Sequence, residues 1–275
     1  MRFAKMHGLG NDFVMVNGFT EELPKDLGAF AKKVCERRLS IGADGLIVLS
    51  PSDKADAFFS LYNEDGSQAQ MDGNGARCAA IFANMEGVVD KMALTFETPG
   101  GIVAPTIIDM ENKIVTVDMG VPLLAPADIP ADFSGARVIG APLMVRERLF
   151  YVTLVAIGNP HCVIFVDDLE HFNVAKFGPL VETHPSFPAK TNAEFVQLLS
   201  DEKIRLRNWD RGVGMTLAGG TGACAAAVAS ILNGYTKRKV EIELTKGSLF
   251  IEWREDDHVM MTGPAAFVAY GEYEI

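Results

Sequence analysis

The 275-residue sequence has few cysteines and no recognisable export signal. Its four cysteines form no CxxC pair; they are Cys35, Cys78, Cys162 and Cys224. This spacing excludes a disulfide framework and a zinc-binding cysteine motif, and it predicts reduced thiols in a cytoplasmic protein. The N-terminal segment MRFAKMHGLGNDF contains charged residues and no apolar run of the length that a signal peptide needs.

Basic residues are also in short supply. The chain has 25 Lys and Arg against 36 Asp and Glu, which gives a net charge of −11. This charge argues against a general nucleic-acid partner and against an anionic membrane surface. The one long uncharged stretch, 215–236, contains glycines, threonines and an asparagine, which make it too polar for a hydrocarbon core. Because its alanines would lie on every face of a helix, it predicts a helix buried within a domain.

An internal repeat organises the chain. The sequence DGNGA at 72–76 matches GGTGA at 219–223 with an offset of 147, and an alanine-rich segment follows each. Two further pairs follow in the same order at offsets of 148 and 143, namely 9–11 with 157–159 and 119–120 with 262–263. We therefore expect two similar domains. Their expected ranges are 1–122 plus 264–275, and 123–263, with a Pro- and Ala-rich connector at 123–142.

Short β-like runs outnumber helical segments in both halves, which predicts an α+β fold without regular β–α alternation. The predicted strands are 13–16, 45–49, 58–62, 114–118, 151–156, 163–166, 195–199, 240–244, 249–253 and 266–270. The predicted helices are 24–36, 75–86, 172–177 and 222–233. One apolar helix per half is expected to form the core.

The two glycine turns are candidate anion sites, because free N–H groups at a helix start bind carboxylates and glycines allow close approach. A dinucleotide fingerprint and an EF-hand spacing are both missing, so we expect no nucleotide cofactor and no metal. From the residues alone, Asp72 is either a general base or a helix cap. His161 is either a structural group or one that tunes a neighbouring acid. The asparagines at loop positions are either turn formers or ligand readers; they are Asn11, Asn63, Asn159 and Asn192.

Several motifs, in order along almost the whole chain, resemble the diaminopimelate epimerase family. They are MHGLGNDF, GADGLI, NEDGS followed by GNGARC, GNPHCV, the FP…TN…F run at 187–195, and WDRGVGMTLAGGTGACA. The resemblance implies two pseudo-symmetric domains, each a mixed β-sheet wrapped around a central helix. It also implies a homodimer that converts LL- to meso-diaminopimelate, a small amino-acid substrate of lysine and cell-wall synthesis, without a cofactor or a metal.

In that family two cysteines invert the α-carbon: one thiolate removes the proton and the opposing thiol delivers another. The resemblance places these cysteines directly before the two glycine turns. Here those catalytic positions hold Asp72 and Gly219. It further implies that His161 assists the first position and that Asp210, where the family has Glu, assists the second. The implied substrate-binding residues are Asn11, Asn63, Gly73, Asn74, Asn159, Asn192, Arg211, Gly220 and Thr221.

The two replacements change the expected chemistry. A carboxylic acid has a reference pKa about 4 to 5 units below that of a thiol, so Asp72 is the weaker base, and Gly219 has no side chain. Three interpretations follow. The chain is a diaminopimelate epimerase with impaired turnover; or a diverged isomerase or lyase using Asp72 and His161 as a one-sided acid–base pair; or a non-catalytic amino-acid-binding protein. The sequence leaves open whether the chain is an active enzyme.

Overall fold

A computed structural model describes residues Met1–Glu274 and divides the chain into two compact units. The first consists of Met1–Asp118 together with the C-terminal segment from Thr262, and the second is Met119–Met261. The sequence-based ranges placed these divisions after residues 122 and 263. Within Met1–Glu274, no helix is both long enough and apolar enough to cross a membrane.

Strands outnumber helices in both units. The elements up to the unit boundary are β1 (Arg2–Gly8), β2 (Asn11–Asn17), α1 (Leu27–Cys35), β3 (Gly45–Ser50), β4 (Ala57–Asn63), β5 (Gln68–Ala69), α2 (Gly73–Met85), β6 (Phe96–Thr98), β7 (Gly101–Val103), β8 (Thr106–Asp109) and β9 (Ile114–Asp118). Those that follow are a 3₁₀ turn (Pro126–Asp128), β10 (Ala141–Val145), β11 (Arg148–Ala156), β12 (Pro160–Phe165), α3 (Val174–Glu182), β13 (Asn192–Ser200), β14 (Lys203–Asp210), β15 (Gly214–Thr216), α4 (Gly220–Leu232), β16 (Lys239–Leu244), β17 (Gly247–Trp253), β18 (Val259–Pro264) and β19 (Ala266–Glu272). The fold class is therefore α+β, as expected.

Each unit is built on a mixed sheet. In the first, the strand order is β19-β1-β2-β3-β4-β6-β7, with β5 paired to β4. The pairs β2–β3 and β4–β6 are parallel. In the second, the order β10-β11-β12-β13-β14-β16-β17-β18 is joined by β15 on β14, and the pairs β12–β13 and β14–β16 are parallel. The two orders share one pattern, which gives the pseudo-symmetric arrangement that the repeat predicted.

One helix per unit lies at the centre of the core. Nearly every residue of α2 and α4 is buried, and their small alanines let strands approach from several sides. Both helices begin at the glycine turns and end before a glycine of positive φ, Gly87 at 67° and Gly234 at 72°. The predicted buried helices are confirmed, beginning two residues earlier than expected.

Two helix predictions missed their boundaries for identifiable reasons. The segment 172–177 is not the helix itself, because Asn173 caps α3 and accepts a hydrogen bond from the Lys176 N–H at 2.9 Å. Phe172 instead packs against Phe195, with ring centroids 4.9 Å apart. Likewise α1 begins at Leu27 rather than 24, because the Asp26 carboxylate accepts from the Ala29 N–H.

A buried arginine ties α2 to the C-terminal segment. Arg77 is fully buried, and its guanidinium donates to the Asn74 side-chain oxygen at 2.9 Å and to the Pro264 carbonyl at 3.2 Å. Since a buried charge is costly unless such partners remain, this group constrains where the C-terminal segment lies on α2.

We predict that Arg77→Ala lowers the free energy of unfolding by about 3 to 5 kcal/mol, because it leaves buried acceptors without their donor and opens a cavity. Urea unfolding followed by circular dichroism measures the change. Arg146→Ala, at an exposed position, serves as the control and is expected to change little. An Arg77→Ala chain as stable as this control would show that the buried network contributes nothing.

Candidate functional site

The glycine turn of the first unit is capped by Asp72. Its backbone is extended, with φ −143° and ψ 129°, and its carboxylate accepts a hydrogen bond from the Gly75 N–H at 2.6 Å. Burial raises the pKa of Asp72 above its ordinary value, while the Gly75 N–H and the charge of Arg77 act in the opposite direction. The cap interpretation of Asp72 is therefore correct, and its raised pKa also suits a proton acceptor.

Asn11 and Asn74 of the predicted substrate set lie together beside this turn. The Asn74 amide donates to the Asn11 side-chain oxygen at 3.0 Å, and the Asn11 amide donates to the Asp44 carboxylate at 2.9 Å. Asn63 has a different environment: it is exposed at the end of β4 and donates to the Ser67 hydroxyl at 3.0 Å. Gly73 begins α2 and is buried. The structure thus fixes Asn11 and Asn74 in one network.

The second glycine turn has a different N-cap. Gly219 occupies that position, with φ −76° and ψ 101°, and its backbone is followed by Gly220 and Thr221 as the first residues of α4. A glycine cannot cap with a side chain, so the electropositive start of α4 is left to other groups or to a bound anion. The first helix start is therefore capped by a carboxylate, whereas the second has no side-chain cap.

A buried histidine–carboxylate pair lies in the second unit. His161 Nδ1 is 2.7 Å from Glu194 Oε1, its Nε2 is 2.8 Å from Asn159 Oδ1, and both ionisable side chains are fully buried. Burial raises the pKa of Glu194 to about 7, although the nearby His161 acts to lower it. Asn192 extends the network, donating to the Pro160 carbonyl at 3.0 Å. His161 is thus oriented at both ring nitrogens.

Asp210 and Arg211 follow at the end of β14. The half-buried Asp210 accepts from the Thr216 hydroxyl at 2.5 Å, and burial raises its pKa against the effects of Thr216 and His161. The Arg211 backbone N–H donates to Asn192 Oδ1 at 2.7 Å, and its exposed side chain donates to the Ala189 carbonyl. Arg211 therefore contacts the network through its backbone, while its guanidinium is turned to the surface.

Sequence reasoning missed two buried polar residues in the second unit, Glu194 and Asn208. Glu194 Oε2 and Asn208 Nδ2 are fully buried, and neither has a hydrogen-bond partner among the described residues. For Glu194 the available signal was a charged residue among apolar neighbours, in AEFV at 193–196. Among residues 1–274, no group of three or more His, Cys, Asp or Glu is arranged to hold a metal ion.

Sequence comparison finds close relatives of the whole chain. The model of the diaminopimelate epimerase family matches residues 3–124 and 153–268. A protein named diaminopimelate epimerase from Desulforudis audaxviator is 50% identical over 275 residues, covering 99% of each chain. One of the same name from Pelotomaculum thermopropionicum is 48% identical over 276 residues, again covering 99% of each.

Structural comparison finds the same fold in more distant proteins. A phenazine biosynthesis protein of the PhzF family from Bacillus anthracis has a TM-score of 0.72 at 15% identity, covering 100% of this chain and 99% of that one. A hydroxyproline epimerase from Agrobacterium vitis has a TM-score of 0.69 at 14% identity, covering 98% and 91%. At such low identity the likeness shows the two-domain α+β fold alone.

We predict that the buried Glu194 makes the protein less stable as the pH rises. The folded chain keeps this proton up to about pH 7, whereas an unfolded glutamate releases it near its ordinary pKa of 4.5. Over this interval the folded state binds more protons, so the free energy of unfolding falls with rising pH, by about 1 to 3 kcal/mol between pH 5 and pH 8.

Glu194→Gln is expected to remove this part of the pH dependence, because an amide does not titrate. Denaturant unfolding at several pH values measures it, and Glu252→Gln, at an exposed position of β17, is the matched control. An unchanged slope in Glu194→Gln would show that Glu194 does not take up this proton.

Proposed function

The chain belongs to the diaminopimelate epimerase family, and we propose that it is a diaminopimelate-binding isomerase whose two-thiol inversion is impaired. One observation carries the proposal: the two central helices start at family-like glycine turns, but with the carboxylate of Asp72 at one and the bare Gly219 at the other. The relatives' names support diaminopimelate as the substrate, and the absence of thiols at these positions supports the impairment.

The backbone N–H groups of each glycine turn are the proposed binding sites for the substrate carboxylates. N–H groups in the first turn of a buried helix bind an anion without further charge, so residues 73–74 and 220–221 are the proposed carboxylate sites. Asn11, Asn159 and Asn192 are the proposed readers of the amino-acid heads. We further propose that the protein acts without a cofactor, as a cytoplasmic homodimer, as the family resemblance implies.

At the first turn, Asp72 is the proposed proton acceptor. Its carboxylate would take the α-proton, and the electron pair left on the α-carbon would be delocalised into the substrate carboxylate held at the helix start. The raised pKa of Asp72 brings it nearer to that of an effective base at neutral pH. When ionised, however, Asp72 adds a negative charge beside the proposed carboxylate site.

At the second turn, Gly219 supplies neither a proton donor nor a proton acceptor. A positioned acid–base group contributes roughly 10²- to 10⁴-fold, so its loss alone makes inversion slow. The raised pKa of Asp72 favours one second candidate, an isomerase or lyase that exchanges a proton on one face of its substrate with assistance from His161. Both candidates keep substrate binding and lose proton transfer on the second face.

We predict that the unaltered protein binds meso- and LL-diaminopimelate by isothermal titration calorimetry and binds L-lysine, which lacks the second carboxylate, more weakly. Asp72→Asn is expected to bind diaminopimelate about five- to tenfold more tightly at pH 8, because the amide keeps the helix cap and removes the like charge. The gain should shrink as the pH is lowered and Asp72 takes up a proton.

Asp26→Asn, which alters the equivalent cap of α1, is the control for this measurement. A protein that binds neither diaminopimelate isomer would contradict the proposed substrate. Binding that Asp72→Asn leaves unchanged at pH 8 would remove Asp72 from the site.

A further inference from the structure

The side chain of Asn208 lies against Gly219 and Gly222 at the start of α4. A β-carbon placed on Gly219 would lie less than 3.0 Å from Asn208 Nδ2 and 3.0 Å from its Cγ. A β-carbon on Gly222, one helical turn further on, would also lie less than 3.0 Å from the same nitrogen. The Asn208 carboxamide therefore packs into the space that a side chain at position 219 would need.

Backbone conformation gives no reason for glycine at this point. Gly219 has a φ of −76°, which any L-residue adopts without strain. A side chain at 219 is therefore opposed by contact with Asn208, whose carboxamide would have to move, rather than by the conformation of the chain.

The internal repeat supplies a comparison within the same molecule. At the offset of 147, Asp72 corresponds to Gly219, and the paired residues Ile47 and Leu61 of β3 and β4 correspond to Glu194 and Asn208. The first repeat thus places two buried apolar side chains on the paired strands and has a side chain at its N-cap. The second repeat places two buried polar side chains there and has no side chain at its N-cap.

Both buried polar residues, Glu194 and Asn208, carry an energetic cost. Glu194 Oε2 and Asn208 Nδ2 are an acceptor and a donor that lie on directly paired residues, yet each is without a partner among the described residues. A buried unpaired polar atom destabilises a protein, and so does an unfilled cavity. Asn208 fills the space beside Gly219 and Gly222, although its Nδ2 has no hydrogen-bond partner among the described residues.

We propose that Asn208 is a positioning residue that keeps an acid–base side chain out of the start of α4. Its carboxamide takes the volume of the missing side chain, and an amide neither accepts nor releases a proton at neutral pH. The change at 219 is thereby coupled to position 208, so that a thiol restored at 219 reaches its full effect only with a smaller residue at 208. The consequence for catalysis rests on the proposed function, whereas the steric coupling does not.

A thermal double-mutant cycle tests the steric coupling without any substrate. Gly219→Ala is expected to lower the Tm by about 3 to 8 °C, because its β-carbon meets Asn208. In the Asn208→Ala background the same substitution should lower the Tm by no more than about 2 °C. Asn208→Leu keeps the branched shape of the side chain, so in that background the full loss should persist.

Gly178→Ala is the matched control, because its β-carbon would meet the Trp209 ring instead of Asn208. Its loss of Tm should be the same with Asn208 and with Ala at 208. If Gly219→Ala lowers the Tm equally in both backgrounds, the proposed coupling is wrong.

A second measurement follows the rate at which LL-diaminopimelate changes configuration, which tests the consequence for catalysis. Asp72→Cys with Gly219→Cys should epimerise LL-diaminopimelate slowly, and adding Asn208→Ala should raise kcat at least tenfold. Equal rates in the two variants would show that Asn208 does not restrain the group at 219. Thermal coupling in proteins that neither bind nor epimerise diaminopimelate would uphold the role of Asn208 at position 219 and contradict the proposed substrate.

Discussion

The rest of the structure depends on burying the start of a helix inside each unit. Four N–H groups at the beginning of α2 and of α4 cannot be paired within their own helices, and both starts lie in the core. Hydrogen-bond acceptors or an anion must pair with these N–H groups. In each unit the sheet order, the alanine-rich helix and the glycine turn bring polar side chains to the start of the helix. A site that takes carboxylates is one chemical solution to this constraint.

The two units have solved the constraint in opposite ways. In the first, Asp72 supplies the cap from its own side chain, beside a network that runs through Asn74 and Asn11. In the second, Gly219 has no side chain to cap the helix, and Glu194 and Asn208 lie on the neighbouring strands. A reaction that removes a proton from one face and returns it from the other needs matched groups, and on the proposed function this asymmetry leaves the second group out.

Much of the fold could be predicted because glycine turns and buried helices are local features of the sequence. The two helices and the α+β class followed from residues close together in the chain, such as those of 219–223, and the two-domain layout followed from matching such segments 147 residues apart. The start of α3 was placed too early, since Phe172 is an apolar residue that packs against Phe195 ahead of the helix. Glu194 and Asn208 were missed because their meaning depends on strand pairing and on contact with α4, which spacing does not reveal. Arg211 was expected only as a substrate-binding residue, and its backbone contact with Asn192 was not foreseen.

The most direct measurement of one-sided chemistry is solvent deuterium exchange at the α-carbons of diaminopimelate with the unaltered protein. Nuclear magnetic resonance and chiral chromatography would follow deuterium content and configuration separately over several days. We expect LL-diaminopimelate to keep its configuration at both centres, with any deuterium that enters appearing in unchanged LL-isomer. Rapid formation of meso-diaminopimelate carrying solvent deuterium would show a working second acid–base group and contradict the loss of two-sided proton transfer.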